Sequence, residues 1–165
     1  MSKNRLERAK NRRTTNTYSA KPHHIFRADL KAGKASPASI LSSNAFRVLD
    51  NLLCQYNGKN NGDLAASPKI MKFYGWSSTG TVHDCIQELI SAGFIQKTRQ
   101  GARTNKCSLF AVTWLPINEC NNKLDVKETT TPSNFWKEEN RYLRDQTVIK
   151  KYKERKISKT HGKSK

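Results

Sequence analysis

The sequence predicts an α+β fold: three helices and a small antiparallel β-hairpin sheet, with basic extensions at both ends. Three observations predict it. Phe46, Leu49, Leu52, Leu53 and Tyr56 recur at three- and four-residue steps, the signature of an amphipathic helix. Two further helical patterns follow, separated only by a tight Gly75-Trp76-Ser77-Ser78 turn. Two segments that read as strands, residues 94–100 and 107–114, then enclose the polar loop Gly-Ala-Arg-Thr-Asn-Lys, as a hairpin requires. Helix, turn, helix, basic hairpin is the order of a winged helix-turn-helix, whose second helix enters the DNA major groove while the hairpin touches the backbone beside it.

Residues 1–18 are basic and polar and are expected to be disordered alone. His23-His24 has no tyrosine nucleophile or third ligand nearby, so neither a metal site nor a nicking core is expected there. Ile25, Phe26 and Leu30 are expected to pin the arm to the domain, and residues 31–39 (KAGKASPAS) read as a linker. Ser42 or Ser43 caps the first core helix, Val48 widens its apolar stripe, and Asn57-Gly58 ends it. Residues 59–62 are a polar loop. No GxxxxGK[ST] is present, so they read as a turn rather than a phosphate cradle. Residues 63–66 are expected to add a third strand that pairs with the hairpin.

Ser67 is an N-cap and Pro68 occupies the first helical position, where a missing N–H costs nothing. Ile70, Met71, Phe73 and Tyr74 give that short helix its apolar positions, and Gly75 supplies the positive φ that stops it. Ser78 or Thr79 caps the next helix, whose Val82, Cys85, Ile86, Leu89 and Ile90 fall on one face; Gly93 ends it. After Leu115-Pro116, residues 117–133 read as loop, with Leu124 and Val126 crossing the domain surface. Residues 134–156 read as a helix with a weak stripe of Phe135, Tyr142, Val148, Ile149 and Tyr152, followed by a basic tail. The expected division is an arm and linker over 1–39, the folded domain over 40–117 and an extension over 118–165.

Composition points the same way. Hydrophobic residues make up 35 % of the 165, so only the middle of the chain can bury a core. The net charge is +18. Residues 1–37 carry ten Lys and Arg against two acids, residues 38–118 eight against four, and residues 119–165 thirteen against seven. The ends therefore hold +14 of the charge. Such an excess favours a polyanionic partner, nucleic acid first and an anionic membrane surface second. Cys54, Cys85, Cys107 and Cys120 form no CxxC pair, and Cys54 and Cys85 read as small buried hydrophobes of a reducing compartment. No stretch approaches the ~20 apolar residues of a membrane span and no apolar signal core opens the chain, so a cytoplasmic, nucleoid-associated protein is expected.

The residues expected to touch DNA lie on the second helix of the pair and on the hairpin. Ser77, Ser78, Thr79 and Thr81 present hydroxyls and a helix N-terminus to phosphate. His83, Asp84 and Gln87 face outward. Gln87 can pair with adenine, and Asp84 can accept from cytosine N4. On the hairpin, Lys97, Arg99, Arg103 and Lys106 suit phosphate or the minor groove, with Thr104 and Asn105 at the tip. No Ser/His/Asp order, carboxylate pair or glycine loop commits the chain to an enzyme, and no cofactor or metal is expected.

At residues 55–67 (QYNGKNNGDLAAS), Gly75-Trp76, residues 98–120 (TRQGARTNKCSLFAVTWLPINEC) and the following Leu124-Asp125-Val126, the sequence resembles small helix-turn-helix proteins carried by bacterial prophages, plasmids and integrated elements. The resemblance covers about half of the chain. It implies a winged-helix fold and a replication or regulatory role in a phage or mobile element. One departure stands out: many winged helices resemble STVxR in the recognition helix, whereas Thr81-Val82-His83-Asp84 puts an acid where the arginine would face the groove. Duplex DNA is the expected partner, with replication or transcription proteins and a homodimer also compatible. A second reading is a non-enzymatic adaptor whose domain contacts protein, a reading favoured by Asp84 and Glu88, while the tails coat DNA or RNA. A third is an RNA-binding protein.

Overall fold

Local sequence rules set the helices. The computed structural model describes residues 21–101, 106–143 and 146–161. A short helix α1 (His23–Phe26) is followed by a 3-10 turn (Pro37–Ile40) and then by α2 (Ser43–Leu53), α3 (Pro68–Phe73) and α4 (Thr79–Ser91). Each of the last three has a serine cap: Ser42, Ser67 and Ser78 accept from the N–H of Ala45, Ile70 and Thr81. Gly75 and Gly93 both take φ of +79° and end α3 and α4, as their positions predict.

Strands β1 (Leu64–Ala65), β2 (Ile95–Arg99) and β3 (Leu109–Val112) form one antiparallel sheet in the order β1-β3-β2. Leu64 pairs with Phe110, and Ile95 with Val112. The expected third strand is thus present and pairs with the second strand of the hairpin. The outer edge of β1 is closed by a side chain: Gln55 Oε1 accepts from Ala65 N at 2.9 Å and its Nε2 donates to Ala65 O at 3.0 Å. The architecture is mixed α+β, with helices packed on one small sheet.

A single buried cluster joins α2, α3, α4 and the sheet through Val48, Leu49, Leu52, Leu64, Met71, Ile86, Leu89 and Phe94. Fully burying a side chain such as Leu49, Leu52 or Leu89 contributes about 1.5–3 kcal/mol. Asn61, fully buried, ties the chain before β1 to the end of β3. Its Oδ1 accepts from Val112 N at 2.8 Å, and its Nδ2 lies 2.9 to 3.1 Å from the carbonyls of Pro116, Val112 and Leu115. Arg47 on α2 donates to Tyr74 O at 2.9 Å and stacks on Trp76 at 4.7 Å, while Trp76 Nε1 donates to Asn51 at 2.8 Å. These bonds lock the turn between α3 and α4 onto α2.

Several expectations need correction. Ile25 is fully buried and Phe26 meets Phe46 and Trp114 edge-on at 5.7 Å, so the arm is pinned; Leu30, however, is 90 % exposed and takes no part. The core therefore reaches back beyond residue 40, and Ala38 of the presumed linker is also buried. Phe73 does not face the core, being 86 % exposed at the end of a six-residue helix. Cys54 is exposed because α2 ends at Leu53, whereas Cys85 is buried; all four cysteines are free. Residues 134–156 are not one helix: a 3-10 segment (Glu138–Leu143) precedes α5 (Gln146–His161), which packs against α4. Within the segment 117–134, Asp125 straps the open edge of β2, its N donating to Thr98 O and its Oδ2 accepting from Gln100 N at 2.7 Å. Among the described residues no helix is long and apolar enough to cross a membrane.

Candidate nucleic-acid interface

Two flanks of α4 differ in what they face. On one side a groove of about 580 Å³ separates the N-terminal half of α4 from the sheet. Thr79, Gly80, His83 and Gln87 line it from the helix, and Lys97, Gln100 and Ser108 from the hairpin. Met71, Ile86 and Phe110 close its floor. The groove is thus apolar at its base and polar with a cation at its rim. His83 and Gln87, one turn apart, look into it rather than straight outward.

The hydroxyls divide between capping and exposure. Ser78 Oγ accepts from Thr81 N at 3.2 Å and from Thr81 Oγ1 at 3.0 Å, so both side chains are occupied in holding the helix start. Ser77 and Thr79 are exposed beside them. His83 Nδ1 lies 4.0 Å from Asp84 Oδ1.

On the hairpin, Lys97 Nζ donates to Gln100 Oε1 at 2.8 Å and stays at the groove, and Lys106 is exposed. Arg99 is used differently. Its Nε and Nη2 donate to Cys107 O at 3.2 and 3.0 Å, and its Nη1 reaches Lys123 O at 3.4 Å. Its guanidinium clamps the base of the hairpin to the strap. Arg103, Thr104 and Asn105 lie outside the described residues, as do the segment 1–20 and the last four residues of the basic tail.

The opposite flank of α4 carries Asp84, Cys85 and Glu88. Glu88 accepts from both Ser42 N at 2.6 Å and Ser42 Oγ at 2.9 Å, so it anchors α4 to the start of α2. Tyr152 of α5 also meets Glu88. Burial first, then the charge and the hydrogen bond of the Glu88 carboxylate, push its phenol up to about 12. Burial, followed by the charges of Glu88 and Asp84, pushes the Cys85 thiol up to about 11. Sequence reasoning missed this flank. The periodicity of α4 shows which residues leave the core, but not that a basic helix from the C-terminal extension covers its acids. Among the described residues, no group of three or more His, Cys, Asp or Glu side chains is placed to hold a metal. No family model, curated protein or solved structure matches the chain.

Proposed function

We propose that the chain is a winged helix-turn-helix protein that binds duplex DNA, with α4 as the helix laid in the major groove and the β2–β3 hairpin as its wing. The observation that carries this reading is the placement of His83 and Gln87 beside Lys97 on one groove, on a fold in which α2, α3 and α4 back a sheet ordered β1-β3-β2. Gln87 and His83 have base-reading chemistry, and Lys97 and Lys106 have phosphate chemistry. The charge of +18 supplies attraction that does not depend on sequence. The resemblance at residues 55–67 and 98–120 adds the setting: a bacterial phage or mobile element, with a role in starting replication or regulating transcription.

The acid that departs from the winged-helix pattern fits this reading better than the sequence suggests. Glu88 lies on the flank that Tyr152 of α5 meets, and Asp84, beside His83 at 4.0 Å, does not line the groove. Glu88, cited for the adaptor reading, is an internal anchor. That alternative keeps one observation, the exposed ring of Phe73 on α3.

Selection from a random duplex pool, followed by titration against single-stranded DNA, duplex RNA and heparin, tests the proposal. The expected result is an enriched duplex site on which Gln87→Ala costs about 1–3 kcal/mol while leaving random DNA unaffected. Equal binding to DNA and heparin with no enriched site would overturn it. Preference for RNA would replace DNA by RNA as the partner.

A further inference from the structure

Helix α5 contains Lys150, Lys151, Lys153, Arg155, Lys156 and Lys159 against a single acid, Glu154. It packs along α4, and its Tyr152 is seated on Glu88, next to Asp84 and Cys85. On the other flank, Lys97 of the hairpin lines the groove together with His83 and Gln87. Consecutive residues of a helix point about 100° apart. Gln87 and Glu88 thus send the two flanks of α4 to different neighbours, and α4 runs between Lys97 of the hairpin on one flank and the lysine-rich α5 on the other.

A DNA major groove has that same symmetry. It is about 12 Å wide and has a phosphate backbone along each rim. A helix laid in it with cations on one side alone would leave the other backbone without a partner.

We propose that α5 is a second backbone-binding element, with the exposed Lys150 and Lys153 meeting the duplex phosphates on the rim opposite the hairpin. The inference rests on the DNA reading and specifies how that site grips its duplex. Glu154 shares the exposed side and lowers its net charge, but the two lysines outnumber it. Tyr152 and Glu88 are positioning residues: they hold α5 against α4 and touch no DNA.

The test uses the full chain. Lys150→Ala/Lys153→Ala removes two cations from an exposed surface and leaves the Tyr152 seat intact. Lys31→Ala/Lys34→Ala removes the same charge from the exposed turn closed by the Asp29–Lys34 bridge. Binding of both variants and the wild type to a random duplex of about 25 base pairs is titrated across a salt series. Each lost phosphate contact flattens the slope of log K against log salt by ~0.9. The α5 variant is expected to flatten it by ~1.8 and to weaken binding tenfold or more at low salt, well beyond the turn variant. Equal slopes for the wild type and the α5 variant, or equal flattening by both variants, overturn the inference while leaving the DNA reading standing. A wild-type chain that binds no duplex sinks both.

Discussion

Ser42 and Glu88, 46 residues apart, are joined twice through the Glu88 carboxylate, which accepts from the Ser42 amide at 2.6 Å and from its hydroxyl at 2.9 Å. The same hydroxyl accepts from Ala45 N at 3.2 Å, so the capping serine of α2 is also the point where α4 is tied down. Ser42→Ala removes the cap and one of the two bonds. It should lower stability by about 1–2 kcal/mol. Glu88→Gln keeps an acceptor and should cost less than Glu88→Ala. A urea-unfolding double-mutant cycle over the two positions checks this, and a coupling energy near zero would deny the bond any energetic role.

Asn61 should be the least replaceable polar residue of the described fold. Asn61→Ala leaves the Val112 amide and the Pro116, Leu115 and Val112 carbonyls without their buried partner. Each orphaned group costs about 1–3 kcal/mol, less whatever water recovers, so a loss of roughly 3 kcal/mol or more is expected. Asn61→Asp should differ from Ala in its pH dependence. Its carboxyl would face three carbonyl oxygens, so its folded pKa must rise above the usual ~3.9 of an aspartic acid. Stability gained at low pH through the protonated acid is then lost as pH rises through that folded pKa. Chemical denaturation at pH 4 and pH 7 reads the difference, and a pH-independent gap between the two variants would refute it.

What could be read in advance follows physical range. The serine caps, Pro68, Gly75, Gly93 and the apolar face of α4 are local signals, spelled within one or two turns of chain, and each element stands where they place it. Even β1 was legible, because Leu64 and Ala65 sit alone between polar loop and cap. Asn61 was not: within an Asn- and Gly-rich run it looks like any turn residue, and only the return of β3 gives it partners. Glu88 looked like a free surface acid because Ser42 and Tyr152 lie far from it in sequence. At the candidate interface, residue types and the helix face were legible. Which basic side chains the fold itself consumes was not.

The cysteines should separate by reactivity. Cys54 is exposed, while Cys85 is buried in α4 with its thiol pushed up to about 11. A thiol reagent at pH 8 should label Cys54 rapidly and Cys85 only as fast as the chain opens. The folded-state values of Cys85 and Tyr152 both lie above the ordinary 9.0 and 10.0. The folded state therefore holds those protons more tightly. Their contribution to stability is full below about pH 9 and is lost as pH rises, between about 9 and 11 for Cys85 and between about 10 and 12 for Tyr152. Mass-spectrometric mapping of the labelled sites gives the order, and rapid labelling of Cys85 in the native protein would contradict it.

Two basic residues of the hairpin should fail in different ways. Arg99 donates to the Cys107 carbonyl through two nitrogens and reaches Lys123, whereas Lys106 is exposed. Lysine cannot reproduce the two-pronged donation of a guanidinium. Arg99→Lys should therefore loosen the hairpin base and cost about 1 kcal/mol of stability. Its effect on DNA affinity should shrink once binding is measured well below the melting temperature. Lys106→Ala should leave unfolding unchanged and flatten the salt dependence of duplex binding by ~0.9 in log–log slope, the effect of one phosphate contact. Thermal melts and salt titrations on both variants separate the roles. If Arg99→Lys leaves the melt untouched but flattens the salt slope, then Arg99 reaches phosphate and its bonds to Cys107 and Lys123 open when DNA arrives.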